Sequence, residues 1–213
     1  MIKIHPSSLS DIMTEVKGKG HEALSVGAMT YCYNQAKQFV YGYKPEVKSK
    51  YLDKGNMCEN DSIALYNLVN FTSVKKNTER RENDYLTGEC DIVHEHMLTD
   101  IKTSWSLSTF PAITSRIDPK DLKKYVWQGC AYMILWDKPQ FEIAYCLVST
   151  PEELINQTEA SLHYVDDIDP SLRLTTAYFE RTEEKDKLIK IKCEAAQIQI
   201  EKYIEEITKE HSE

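Results

Sequence analysis

The 213-residue chain has no long hydrophobic run. Its longest apolar stretches, Ala131–Trp136 and Ile143–Val148, fall far short of the roughly 20 residues that a membrane-spanning helix needs. The opening residues, Met-Ile-Lys-Ile-His-Pro-Ser-Ser, lack the apolar core of a signal peptide, so a cytoplasmic protein is expected. Paired cysteines are missing too. The six cysteines stand at 32, 58, 90, 130, 146 and 193 with no C-x-x-C among them, which argues against a zinc ribbon or a disulfide framework. Several fall inside apolar segments, as buried free thiols do in a reducing compartment. Positive charge is also scarce: 26 Lys and Arg face 34 Asp and Glu, a net charge of −8. That balance speaks weakly against a polyanion as partner. However, residues 1–81 carry 12 basic and 8 acidic side chains, while residues 150–213 carry 8 and 16. The acid excess is therefore concentrated late in the chain, and a local basic surface remains open to the first third.

What is present is an ordinary globular composition, 41% hydrophobic and 28% charged, of a size for one domain. Ser8 can cap a short helix over Leu9–Val16, ended by Gly18 and Gly20. A second helix is expected over His21–Tyr41, with Leu24, Ala28, Tyr31 and Gln35 on one stripe. A third is expected over Lys54–Asn70, from the spacing of Met57, Ala64, Leu65, Leu68 and Val69. Then the period changes. Gly88–His94 and Met97–Thr103 alternate polar and β-branched residues and read as a hairpin. Asp118-Pro119 opens a helix that runs to Trp136. Phe141–Val148 reads as a buried strand. Thr150-Pro151-Glu152-Glu153 reads as a capping box for a helix to Leu162. Residues 173–180 read as a strand, and Glu183–Glu210 as a long amphipathic helix with Leu188, Ile191, Ala195 and Ile198 on its stripe. This order gives a mixed α/β class.

The chemistry concentrates in residues 85–110. If the hairpin turns at Glu95-His96, Asp91 faces Asp100 across the ladder, and Lys102 shares the face of Asp100. Like charges directly opposite are destabilising. A divalent cation bound by hard oxygen ligands would neutralise the pair. Taken alone, a D-x-K triplet is common, and a plain surface hairpin with alternating polar residues is its more frequent explanation. Three features narrow the choice. Gly88 lets the chain enter the strand tightly. Glu59 lies on the flank of an upstream helix that can pack on the sheet. Tyr125, Gln128 and Tyr132 share one face of the downstream helix, where a buried glutamine needs a partner.

Glu59, Asp91 in G-x-x-D, Asp100-Ile101-Lys102, and the Y-x-x-Q-x-x-x-Y run of Tyr125, Gln128 and Tyr132 together resemble the PD-(D/E)XK nuclease superfamily. Within it the chain resembles the phage lambda-type exonucleases, or YqaJ-like viral recombinases, over about residues 50–150. The SSL run at Ser7–Leu9 is a looser match to an N-terminal motif. One departure is Cys90, where the family usually has proline. The resemblance implies a restriction-endonuclease-like core with a central mixed sheet flanked by helices, forming one nuclease domain over residues 1–213. It implies a Mg²⁺ (or Mn²⁺) dependent exonuclease acting from duplex DNA ends, 5′ to 3′, in phage-type recombination or repair.

On that basis Asp91, Asp100, the Ile101 carbonyl and Glu59 would be metal ligands, with Lys102 and Gln128 completing the catalytic set. Tyr125, Tyr132, Thr103 and Ser104 would meet DNA. Ser8 and Lys54, with Ser7, Lys48 and Lys50, would meet phosphates; a helix cap at Ser8 and solvated lysines are the competing reading. Trp105 stacks on a base or packs, and His94 and His96 are exposed turn residues. No four-cysteine set surrounds the core, so an iron–sulfur cluster is not expected. Implied partners are double-stranded DNA ends, a single-strand annealing protein and further copies of the chain in a ring, with no membrane. The host cytoplasm is the implied location for a phage-encoded chain. A Cas4-like or structure-specific endonuclease, or a silent DNA-binding or assembly protein on the same fold, stays open as an alternative.

Overall fold

The computed structural model describes residues 1–155 and 160–212. Its helices are α1 (Leu9–Ile12), α2 (Val26–Tyr41), α3 (Lys50–Met57), α4 (Glu59–Asn70), α5 (Pro119–Trp136), α6 (Ala160–His163) and α7 (Glu183–Glu210). Its strands are β1 (Arg81–Glu82), β2 (Thr87–Gly88), β3 (Ile92–Val93), β4 (Met97–Thr103), β5 (Gln140–Cys146) and β6 (Leu174–Glu180). The central sheet runs in the order β3-β4-β5-β6, and β1 pairs with β2 apart from it. β4 and β5 are parallel, joined through α5, while β3 and β6 run antiparallel to their neighbours. This is the mixed α/β architecture expected from the element order.

Side-chain alternation on β4 and β5 divides the core in two. Leu98, Phe141 and Ile143 face the larger cluster, which holds the N-terminal segment, α2, α5 and α7. Ile101, Ala144 and Cys146 face the smaller cluster, with Ile63, Leu65 and Tyr66 of α4. The sheet is thus covered on both sides, as its parallel pair requires. All six cysteines are free and buried.

α5 occupies the span that its end signals set. Asp118 accepts a 2.7 Å hydrogen bond from the Lys120 amide. Pro119 takes the first helical position, and Asp137 ends the helix at φ 51°. Gly129 sits where α5 crosses β5; a Cβ there would lie 2.1 Å from the Phe141 ring. Gly88 serves the same purpose, since a Cβ there would lie 2.7 Å from the Pro6 ring. Its role is close approach of the N-terminal segment, not the tight backbone entry expected from the sequence.

Several boundaries differ from expectation. The helix read over Lys54–Asn70 is two helices, broken at Cys58 (φ −102°, ψ 12°). Its Leu68 is 59% exposed, and the buried face is Ser62, Ile63, Leu65 and Tyr66. The strand read over Gly88–His94 is divided. Asn77 binds the Asp91 carbonyl through its amide (2.7 Å) and the Cys90 carbonyl through its side chain (2.9 Å), so the chain between β2 and β3 pairs outside the sheet. α2 begins at Val26, because Ser25 Oγ accepts the Ala28 amide at 3.1 Å. α1 covers only Leu9–Ile12, preceded by a 3₁₀ turn at Pro6–Ser8.

The capping box at Thr150 is not formed. Its hydroxyl is engaged by the Trp105 carbonyl (3.2 Å) and His163 Nδ1 (2.9 Å), and a short 3₁₀ turn follows at Glu152–Leu154. The middle of the helix expected there, residues 156–159, lies outside the described residues. On α7 the buried stripe is Ile189, Cys193, Ala196 and Ile200, packed on the small residues Ala28, Cys32 and Ala36 of α2. Ile191 and Ile198 of the expected stripe are instead exposed.

Candidate active site

The hairpin register is Ile92↔Thr99 and Val93↔Leu98, which carries Asp91 opposite Asp100. Alternation turns Asp100 and Lys102 toward α5, while Thr99 and Ile101 turn toward α4. Asp100 is 2% exposed. Its Oδ1 accepts a 3.1 Å hydrogen bond from Gln128 Nε2, and its Oδ2 lies 2.5 Å from Lys102 Nζ. That second oxygen is buried with this ion pair and, among the described residues, without a well-aligned hydrogen bond. Asp91 Oδ2 accepts a 2.7 Å hydrogen bond from the Ile101 amide. Burial, and then the charge of Asp100, push the Asp91 carboxyl up to about 7. Burial also works against the Lys102 ammonium, but Asp100, Tyr125 and Asp91 more than offset it and hold the lysine above its ordinary value.

Gln128 reaches Asp100 because α5 crosses the sheet at Gly129, the next residue. Its Nε2 also lies 3.3 Å from the Tyr132 hydroxyl. Tyr132 is buried against Trp136 and Phe141. Tyr125, one turn before Gln128, lies with its ring centroid 4.5 Å from Lys102 Nζ. These side chains open onto a cavity of 620 Å³ whose wall also includes Glu59, Ile101, Thr103, Ser104 and Tyr145.

Glu59 opens α4 and is paired with Lys76, from the connector that follows the helix. It is close enough to add to the upward push on Asp91. The close trio of acids expected from the sequence is nevertheless not formed: among the described residues no three His, Cys, Asp or Glu side chains gather as metal ligands. The Lys76 ammonium holds Glu59 in its own pair. The two opposed aspartates do fit a hard divalent cation. They offer only oxygen donors, the buried Asp100 Oδ2 is met by the Lys102 ammonium alone among the described residues, and burial together with their mutual repulsion raises Asp91.

A solved structure of a phage-related exonuclease from Haemophilus somnus 129PT is 34% identical to this chain, with a TM-score of 0.90, covering 97% of this chain and 96% of that one. The chain belongs to the lambda-type, YqaJ-like exonuclease family. An alkaline exonuclease, LHK-Exo, from Laribacter hongkongensis shares the fold at 14% identity and a TM-score of 0.70, over 99% of this chain and 93% of that one. The same enzyme in complex with dAMP aligns with a TM-score of 0.68 at 14% identity, over the same shares of both chains. No family model and no curated protein matches. Membership in this exonuclease family supports a nuclease.

Within this exonuclease fold the remaining expected residues fall into two groups. Thr103 and Ser104 line the cavity, with Thr103 Oγ1 2.8 Å from Ser62 Oγ. Ser7 also lines it. Ser8 does not; it stands at the N-cap of α1 without a side-chain capping hydrogen bond. Lys54 is corrected outright as a phosphate contact. It is 1% exposed, and Nζ donates to the carbonyls of Ser104 (2.7 Å), Val148 (2.9 Å) and Trp105 (3.0 Å). Those three bonds use every proton of the ammonium. Trp105 packs edge-on against Tyr51 and His163, with Lys50 Nζ 4.5 Å from its ring centroid. Lys48 is exposed and paired with Glu46. His96 is exposed, but His94 is half-buried and 2.9 Å from Thr99 Oγ1.

Tyr145, Asp121 and Lys124 line the cavity without having been singled out. Asp121 and Lys124 stand seven and four residues before Gln128, so helical spacing alone was a signal for both. Tyr145 is the ladder partner of Lys102, a relationship that needs the β4–β5 register.

Proposed function

We propose that this chain is a divalent-cation-dependent deoxyribonuclease that hydrolyses phosphodiester bonds from the ends of duplex DNA, 5′ to 3′, in phage-type recombination or repair. The supporting observation is the meeting of Asp91, Asp100 and Lys102 on one wall of a 620 Å³ cavity. Asp91, Asp100 and the Ile101 carbonyl would hold Mg²⁺ or Mn²⁺, and Glu59, on the same wall, would serve a second position. Such an ion, when bound, neutralises charge on the phosphate and lowers the pKa of a bound water.

The chain's own residues then divide the work. The Ile101 amide fixes the Asp91 carboxylate, and the Gln128 amide fixes that of Asp100. Lys102, held as an ammonium by Asp100, places positive charge where negative charge grows on the attacked phosphate. Thr103, Ser104 and Ser7, on the cavity wall, supply hydroxyls for the DNA backbone. A ring of identical chains and a single-strand annealing partner complete this reading.

The test is digestion of linear duplex DNA labelled at one end or the other, in Mg²⁺, Ca²⁺ or EDTA, beside covalently closed circles. Mononucleotide release from the 5′ end with Mg²⁺, none in EDTA, and intact circles are expected. Cutting of closed circles would move the chain to the endonucleases. Degradation in EDTA would overturn the metal-dependent reading.

A further inference from the structure

The catalytic lysine candidate is held from two sides. Lys102 Nζ is 2.5 Å from Asp100 Oδ2 on its own strand, and its ladder partner on β5 is Tyr145. On the side facing α5, Nζ lies 4.5 Å from the centroid of the Tyr125 ring. Tyr145 and Tyr125 meet edge to face, with centroids 6.4 Å apart and planes at 69°. Among the described residues the buried Tyr145 hydroxyl has no hydrogen-bond partner, so the contribution of that residue here is its ring. Asp100 by itself leaves the ammonium free to swing around the carboxylate. The negative face of an aromatic ring removes that freedom, because a cation over it is attracted along the ring normal.

We infer that Tyr125 is a positioning residue for Lys102: its ring face, braced by Tyr145, fixes the ammonium at Asp100 and aims it at the attacked phosphate. The inference rests on the nuclease reading for its kinetic consequence and assigns Tyr125 a different job from that of a wall residue touching DNA. A wall residue acts on substrate binding, whereas a positioning residue acts on turnover.

The experiment compares wild type with Tyr125→Leu, Tyr125→Met and Tyr125→Phe, each first checked for cooperative thermal unfolding. Turnover and KM are measured on linear duplex DNA, and Lys102 is located in the crystal structures of wild type and Tyr125→Leu. Turnover should fall about tenfold in the leucine and methionine variants with KM changed less than about twofold. Tyr125→Phe, which keeps the ring and loses the hydroxyl, should regain most of the lost turnover. In the Tyr125→Leu crystal, Nζ should leave its place beside Asp100.

A higher KM with unchanged turnover would overturn the inference in favour of a DNA-contact role. So would a phenylalanine variant as slow as the leucine one, or a lysine that stays in place without the ring. Absence of nuclease activity in wild type sinks the nuclease reading separately, and the crystallographic comparison then still decides whether the ring holds the lysine.

Discussion

The backbone amide of Ile101 donates a 2.7 Å hydrogen bond to the Asp91 carboxylate across the hairpin. The same residue is the proposed carbonyl ligand, so one peptide segment both orients Asp91 and stands between Asp100 and Lys102. Among the described residues Asp91 has no ion pair of its own, whereas Asp100 has Lys102. Burial of Asp91, and then the charge of Asp100, are the source of the pH behaviour expected of the metal-free protein.

In EDTA, Asp91 should make the fold less stable as pH rises. Its folded value is raised from 3.8 to about 7, so between those values the folded state binds more protons than the unfolded chain, and stability falls with pH. Above pH 7 the penalty is complete; below 3.8 it is absent. Thermal melts at pH 5 and pH 8 should show a drop in wild type that is smaller in Asp91→Asn. Added Mg²⁺ at pH 8 should raise the wild-type melting temperature and leave that of Asp91→Asn unmoved. Equal slopes in both proteins would contradict this.

Replacing Lys102 or Asp100 should stop the reaction without unfolding the chain. Lys102→Ala and Asp100→Asn are expected to cut turnover on linear duplex by a factor on the order of 10² or more. Circular dichroism should stay native. A rate within a few-fold of wild type for either would remove that residue from the site.

Lys54 should prove structural. Lys54→Met leaves three carbonyls of Ser104, Trp105 and Val148 without their donor. Urea unfolding should show a loss of about 3 kcal/mol. The salt dependence of DNA binding should keep its wild-type slope, because no phosphate contact is removed. A shallower slope with unchanged stability would restore Lys54 to the DNA surface.

Gly129 should tolerate no side chain. In Gly129→Ala the new Cβ meets the Phe141 ring at 2.1 Å, which forces α5 away from β5. A destabilisation of about 2 kcal/mol is expected. Because Gln128 moves with the backbone, turnover should fall as well. A melting temperature at or above wild type would show that the helix shifts at no cost.

The sequence by itself determined those parts that depend on neighbours along the chain. Period-two alternation and the Glu95-His96 turn set the register that opposes Asp91 and Asp100. Asp118-Pro119 opened α5, and helical spacing put Tyr125, Gln128 and Tyr132 on one face. Only the tertiary structure decided relationships between distant segments. Glu59 is drawn into an ion pair by Lys76, seventeen residues on, and Lys54 is buried by carbonyls fifty and more residues away. α7 carries apolar residues on more than one face. The small residues of α2 admit Ile189, Cys193, Ala196 and Ile200 and leave Ile191 and Ile198 outside. A side chain's local pattern states what it can bury or bind; which partner arrives is fixed by packing, because burial and charge pairing are settled among all segments at once.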